Sequence, residues 1–206
     1  MKLTENTVVI FTSDHGYNLG HNGVWYKGNA QWQLTKSPQQ KWPHIGAKQR
    51  PNLFDQSLRV PTAVRWPAAI KPGTVVTETV SNLDWFPTLL ALANVETPKD
   101  VVIRGHNFLP LLRGETVRWD NDLYAEYSMK HGAQTHMRAW RTPKWKLMLD
   151  FHNEGRAELY NLENDVAETT NLMDSNDPKI QQVKKLLTDR ITQRMREIGD
   201  PVFVSK

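Results

Sequence analysis

Apolar and polar positions follow several rhythms along this chain, and each rhythm predicts a different element. Val8-Val9-Ile10-Phe11-Thr12 is a continuous, β-branched run with no alternation, the pattern of a strand buried on both faces. Leu58 to Trp66 reads as a second strand ended by Pro67, and Pro61 puts it near a sheet edge or at a strand start. Between them, Asn29 to Asn52 is polar and Pro-containing, which predicts a loop or lid.

Ser81-Asn82-Leu83-Asp84 can cap a helix that continues through Leu89 to Ala93. Pro87 lies in its first turn, where a missing N–H does no harm, and Asn94 can close it. Gly105 to Gly114 is a turn-rich connection around an apolar Leu109-Pro110-Leu111-Leu112 patch. Past residue 116 the texture changes. Leu123 to Tyr127, Thr135 to Arg141, Trp145 to Leu149 and Glu158 to Leu162 are short strand candidates, and Thr142-Pro143 is a tight hairpin link, so this part reads as a small antiparallel sheet. Asp177-Pro178 then starts a helix with Pro at its first position. Ile180, Val183, Leu187, Ile191, Met195 and Ile198 form one apolar stripe, and Gly199 with Pro201 end it. Its other face carries Lys184, Lys185, Arg190, Arg194 and Arg196 and reads as solvated. The chain therefore divides at about residue 115 into an α/β part, 1–115, and an antiparallel sheet with a closing helix, 116–206.

Composition narrows what this fold can do. With 39% hydrophobic and 23% charged residues the chain is globular. A net charge of +4 without a block of like charges does not point to nucleic acid. The absence of cysteine excludes disulfides, thiolate metal sites and thiol nucleophiles. No apolar run is long enough to span a membrane. Met1-Lys2-Leu3-Thr4 is followed by no apolar segment of the signal-peptide kind, and the first strand begins only a few residues later, so a preceding part is expected to be missing. Eight Trp suit cores and carbohydrate clefts alike.

The chemistry gathers just after the first strand. The apolar run stops at Asp14-His15-Gly16, followed by Gly20-His21-Asn22-Gly23 and Lys27. Parallel-sheet enzymes hold ligands just beyond the carboxyl ends of their strands. A carboxylate and an imidazole are workable ligands for a divalent cation when further carboxylates share it; read alone, they are equally a turn cap and a satisfied histidine. The glycines allow a loop that winds close to a ligand. Lys27 can face a tetrahedral anion, and His21 can donate to an anion or a sugar hydroxyl. No nucleophile elbow, P-loop, dinucleotide fingerprint or zincin motif occurs.

In this order the residues resemble those of a known family. Thr12-Ser13-Asp14-His15-Gly16 with Leu19-Gly20-His21-Asn22-Gly23-Val24-Trp25-Tyr26-Lys27 resembles the second metal and substrate motif of the sulfatases, in the alkaline-phosphatase superfamily. Asn52 to Pro61 with Arg65-Trp66-Pro67 resembles the segment after it, and Asp84 with Pro87 to Leu90 the next helix. Met137 to Lys146 resembles the family's C-terminal sheet, and Glu158 to Asp165 with Glu168 and Asn171-Leu172 the turn before its last helix. The resemblance implies the C-terminal part of an alkaline-phosphatase-like mixed or parallel sheet with helices. It implies Asp14 and His15 as ligands of Ca²⁺ (or Mg²⁺), Lys27 as a catalytic contact to the sulfate and leaving-group oxygens, and His21 beside Lys27 as substrate-binding. It also implies a formylglycine nucleophile made from the Cys or Ser of a C/S-x-P-x-R motif, and a periplasmic or secreted enzyme.

The sequence departs from that pattern in ways that matter. It has no Cys and no Ser-x-Pro-x-Arg, since Ser37-Pro38 is followed by Gln39, and it lacks the family's N-terminal Asp-Asp ligands. Asn22 stands where many members have His. The stretch from Lys27 to Asn52 is long, carries Lys36, Lys41, His44, Lys48 and Arg50 with no acidic residue, and adds Trp32 and Trp42. A basic, aromatic lid of this kind suits a sulfated sugar. The expectation is a hydrolase of sulfate esters, those of carbohydrates, inactive without its nucleophile half. Its partner would be either that half or another copy meeting an exposed sheet edge. A phosphonate or phosphate ester hydrolase of the same superfamily, or a non-enzymatic module binding sulfated glycans, are the alternatives.

Overall fold

The computed structural model describes residues 3–30, 33–34 and 42–204. In chain order the elements are β1 (Val9–Phe11), α1 (Asp55–Leu58), β2 (Ala63–Arg65), α2 (Trp85–Leu92), α3 (Leu109–Leu112), β3 (Leu123–His131), β4 (Ala133–Arg141), β5 (Trp145–Asp150), β6 (Glu158–Asn161), α4 (Pro178–Glu197) and α5 (Pro201–Val204). Short 3-10 turns occur at Thr4–Asn6, His21–Gly23 and Asn82–Asp84. The chain packs as two compact units. One comprises Met1–Asp14 and Val60–Asn121, the other His15–Arg59 and Asp122–Lys206.

In the first unit, β1 and β2 pair antiparallel with Ile10 opposite Val64 and Phe11 opposite Ala63. Val64 joins Ile70, Val76, Val80, Trp85 and Trp119 around the buried Phe108, Leu111 and Leu112. Asp84 organises the approach to α2. Its carboxylate accepts from the Ser81 backbone N–H at 2.7 Å and the His106 N–H at 2.7 Å, while Ser81 Oγ accepts from Leu83 N. The cap read at Ser81–Asp84 is thus a reciprocal capping box. Gly105 is required beside it, because a Cβ there would stand 2.0 Å from the Leu83 carbonyl oxygen. Asn94 closes α2 at φ 53°, as read from the sequence.

Two expectations about this unit fail. The run at Val8–Thr12 was expected to be buried on both faces, yet Val9 and Phe11 are 50% and 65% exposed and Ile10 is half-buried. The reason is the pairing: among the described residues β1 has β2 alone for a neighbour, and only the Ile10–Val64 side of that ribbon is covered. The pairing is antiparallel, and both sheets among the described residues are antiparallel rather than parallel. The second strand also starts late. Leu58 ends α1 and packs into the core of the other unit, so β2 begins beyond Pro61, whose missing N–H cannot join a ladder.

The second unit is a four-stranded antiparallel sheet in the order β3-β4-β5-β6. Period-two alternation divides its side chains. On one face Leu147 and Leu159 meet Leu187, Ile191 and Met195 of α4, all 1% exposed or less. On the other, Met137, Ala139, Met148 and Tyr160 pack against Leu53 and Phe54. The four strands and the long helix fall where the periodicity puts them.

Three buried ion pairs pin this unit together. Arg138 in β4 donates to both carboxylate oxygens of Asp200, at 2.6 and 2.9 Å, and so fixes the chain just past Gly199, where α4 ends at φ 63°. Arg138 holds the Asp200 carboxyl below the usual carboxylate range even though burial works against it. Asp150 accepts from Thr135, Asn153 and Arg156. Burial pushes its carboxyl up, but those donors prevail and lower it. The third pair lies under the candidate site.

Candidate functional site

Glycine and asparagine geometry shape the loop that follows Asp14. Gly16 N–H donates to the Ser57 carbonyl at 3.0 Å, and a Cβ on Gly16 would sit 2.2 Å from the Gln56 oxygen. Only glycine allows the loop this close to α1. Leu19, Gly20, Asn22 and Gly23 all have positive φ, so the chain curls into a tight left-handed course. Asn18, wholly buried, holds the two ends of the curl. Its amide donates to the Tyr26 carbonyl at 2.6 Å and to Ser57 Oγ at 2.8 Å, and Ser57 passes its proton to Asn52 Oδ1 at 2.7 Å.

The curl brings His15 and Lys27 together. Lys27 Nζ lies 3.0 Å from His15 Nε2, and His15 Nδ1 lies 2.9 Å from the Gly16 carbonyl oxygen. A carbonyl only accepts, so Nδ1 carries the proton. Nε2 therefore presents its lone pair, which here accepts from the lysine ammonium. A backbone carbonyl holding one imidazole nitrogen while the other faces outward is the arrangement that fixes a metal-ligating histidine. The same logic applies to His21: its Nδ1 is 2.7 Å from the Asn18 oxygen and donates to it. Neutral His21 thus offers an acceptor at Nε2, suited to a sugar hydroxyl, and donates there to an anion only as imidazolium.

Asp14 belongs to the first unit. Its carboxylate accepts from Ser13 Oγ at 3.3 Å, and Asn82 Nδ2 donates to the backbone oxygens of Ser13 and Asp14 at 3.1 and 3.2 Å. Asp14 and His15 are the two cation ligands expected from the sequence. Among the described residues no three His, Cys, Asp or Glu side chains gather as a metal site. The donor set present does not by itself hold a divalent cation, and no chemical step is routed through one.

Asn22 has a structural task. Its amide donates to the Ala167 and Glu168 carbonyls at 2.9 and 3.0 Å, and its own carbonyl accepts from Arg50 at 3.2 Å. Beneath it lies a buried charge cluster. Lys146 Nζ, fully buried in β5, reaches Asp55 Oδ1 at 2.9 Å and Glu168 Oε1 at 2.8 Å. Arg141 adds a second cation to Asp55 at 3.0 Å, and the Asp55 N–H donates to Glu168 Oε2 at 2.6 Å. Burial pushes the Asp55 carboxyl up, but Lys146 and Arg141 outweigh it and lower it. Burial wins at Glu168, and its carboxyl is raised despite Lys146. The charge cluster fixes α1 and the 165–168 turn. Those in turn hold Gly16 and Asn22 in the curl that leads to Lys27.

Asp55, Lys146 and Glu168 entered the sequence reading only as family-like letters, without a role. A local signal existed: Lys146 falls on the inward face of a strand whose other inward residue is Met148. Of the basic lid, Trp32, Lys36 and Lys41 lie outside the described residues. Arg50 is committed to Asn22, to Glu158 at 3.5 Å and to the face of Phe54. Trp42 and His44 lie against the β3–β4 side of the sheet.

A family model described as N-sulphoglucosamine sulphohydrolase, C-terminal, matches residues 47–197. Steryl-sulfatase of Rattus norvegicus is 37% identical over 129 residues, covering 61% of this chain and 20% of that protein. N-acetylglucosamine-6-O-sulfatase of Bacteroides thetaiotaomicron is 27% identical over 205 residues, covering 96% of this chain and 32% of that protein. A protein solved in complex with its substrate, D-glucosamine-2-N,6-O-disulfate, superposes with a TM-score of 0.75 at 23% identity, over 96% of this chain and 36% of that one. The chain thus spans a fifth to about a third of the length of these relatives.

Proposed function

Since this chain belongs to the sulfatase family, we propose that it forms the C-terminal part of a hydrolase of carbohydrate sulfate esters. The observation that carries this reading is the pairing of Lys27 with His15, in a family-like loop whose every turn is fixed by buried partners. In this reading residues 1–115 complete an α/β catalytic domain and 116–206 brace it. Lys27 turns its ammonium from His15 Nε2 to the sulfate and leaving-group oxygens and neutralises charge there as the S–O bond breaks. His15 Nε2 and the Asp14 carboxylate would be two of the ligands of a Ca²⁺ or Mg²⁺ ion only together with further carboxylates such as the Asp-Asp pair this sequence lacks; a cation so held would withdraw charge from the sulfate oxygens. His21 Nε2 accepts from a hydroxyl of the sugar.

The formylglycine nucleophile comes from a polypeptide with a C/S-x-P-x-R motif, which this sequence does not contain. The likeness to a protein solved with a disulfated glucosamine, and to an N-acetylglucosamine-6-O-sulfatase, supports a sulfated sugar as substrate. The same reading has the protein working in the periplasm or outside the cell.

The test is turnover of aryl and sugar sulfates by this chain alone and together with a sulfatase polypeptide carrying the nucleophile half. The expected result is no turnover alone and turnover in combination. Lys27→Ala should lower kcat by about 10²–10³-fold, the loss typical of one charge-stabilising donor. Turnover by the chain alone would refute the division of labour. Faster hydrolysis of phosphonate than of sulfate esters by the combination would refute the substrate class.

A further inference from the structure

The part of the basic segment that the described residues include forms one wall of a cleft far along the sheet from Lys27. The cleft has a volume of about 380 Å³ and is lined by residues 43–46 on one side and 130–134 on the other. Its charged and polar lining is Lys130, His44, His131 and Gln134, and no carboxylate faces it. Lys130 and His131 sit at the exposed end of β3, and His44 is exposed opposite them.

The walls are bolted together rather than merely adjacent. The Gln134 N–H donates to the His44 carbonyl at 2.8 Å, and the Trp42 indole N–H donates to the Glu154 carbonyl at 3.0 Å. Gln49 accepts from the Gly46 N–H at 3.0 Å, and Gly132, at φ 70°, makes the β3–β4 turn beside the Gln49 amide. Behind the wall, the His44 ring lies 4.7 Å from that of His152, which lies 5.4 Å from His136. The carboxylate nearest these rings, Asp150, is paired with Arg156 at 2.7 Å. A braced recess free of carboxylates, with the Lys130 ammonium and the imidazole donors of His44 and His131 at its rim, favours an anion.

Its distance from Lys27 defines what kind of anion. Gly28 lies against the Tyr127 ring, where a Cβ would be 3.8 Å away, and β3 runs from Tyr127 to His131 at the cleft. At the usual strand rise that is about 13 Å. A single sugar ring bearing a sulfate at Lys27 does not reach so far, whereas an oligosaccharide does.

We propose that this cleft is a subsite for a second sulfate group, carried by an extended sulfated oligosaccharide and recognised by Lys130, His44 and His131. The proposal rests on the reading of the protein as acting on carbohydrate sulfates. It gives His44, among the described residues the one basic member of the 29–52 segment in the cleft lining, a role toward charge on sugar units beyond the one being hydrolysed.

The test is calorimetric binding to the whole 206-residue chain of three probes: a heparin-derived tetrasaccharide, its desulfated N-acetylated counterpart, and inorganic sulfate. The sulfated tetrasaccharide should bind best. The double variant His44→Ala/Lys130→Ala should weaken it about tenfold, one rim cation and one imidazole donor being lost, and Lys130→Arg alone should keep binding within about twofold of the parent. Equal binding by the double variant, equal binding of the desulfated sugar, or inorganic sulfate binding as tightly as the tetrasaccharide would each overturn the subsite. Hydrolysis is not measured, so the outcomes separate. Cleft-dependent binding in a protein that hydrolyses no sulfate ester in combination keeps the subsite and removes the catalytic reading. Sulfate-ester turnover with cleft-independent binding does the reverse.

Discussion

Replacing Lys146 with Met keeps the length and packing of the side chain and removes only its charge. Two carboxylates then lose their shared cation in a place where both are almost fully buried, Asp55 at 4% and Glu168 at 2% exposure. Asp55 retains Arg141 at 3.0 Å, but Glu168 keeps only the Asp55 N–H. Breaking a buried pair by removing one partner costs about 3–5 kcal/mol. Glu168 is already raised by burial and escapes part of this by taking up a proton, which puts the loss near the lower end, at about 3 kcal/mol. With a urea slope of about 2 kcal/mol/M, the unfolding midpoint of the second unit should fall by roughly 1.5 M. Hydrogen exchange of β5 and β6 peptides across a urea series reads that unit by itself. Lys146→Met/Glu168→Gln should regain about 1–2 kcal/mol over the single variant, because it removes the stranded charge. A single-variant midpoint within about 0.3 M of the parent, or a double variant no more stable than the single, would refute the account of the cluster.

The remaining predictions concern packing, acid and association. Gly16→Ala should destabilise the second unit by about 1–3 kcal/mol and speed exchange through residues 15–27, because the new methyl meets the Gln56 carbonyl; a parent-like exchange pattern would contradict the tight contact. Asp55, Asp150 and Asp200 have folded pKa values below their unfolded ones. Their contribution is therefore complete above the unfolded value near 3.9 and is lost as pH falls through the folded values. Glu168 has the opposite sign, favouring the fold at low pH and losing that contribution as pH rises through its raised folded value. Unfolding free energy should decline from about pH 4 downward, and a profile level through that range would count against the three pairs. The exposed Val9 and Phe11 on a two-stranded ribbon predict concentration-dependent self-association of the chain by light scattering, and a monodisperse monomer at all concentrations would argue otherwise.

How much of this was legible in the sequence differs from element to element. The helix Pro178–Glu197 was readable because it buries one face and that burial writes a period into the chain, and the strands from Leu123 to Asn161 were readable as short runs set between turns. The β1 run carried no such period. Its continuous apolarity gave the chemistry of the residues without saying which neighbours cover them. Family-like order put His15 and Lys27 in one motif without predicting the bond between them, and that bond depends on Asn18, Ser57 and Asn52, whose partners lie up to 39 residues apart. Pairings of that range leave no local trace. The task of Asn22 was hidden for the same reason: its partners are the backbone carbonyls of Ala167 and Glu168, and a carbonyl has no letter in a sequence.

The hydrogen bonds from Asn22 to Ala167 and Glu168 cross 145 and 146 residues of chain. Growing from the ribosome at about 5–20 residues per second, the polypeptide makes those acceptors roughly 7–30 s after it has made Asn22. The loop bearing Lys27 therefore emerges early and stays unbraced until β3 to β6 and the turn after them have followed. A nascent chain interrupted before Ala167 would hold all of its candidate site residues and the Asn18–Ser57–Asn52 bonds but lack the brace on Asn22, so full order at the site records that translation has run nearly to the last helix.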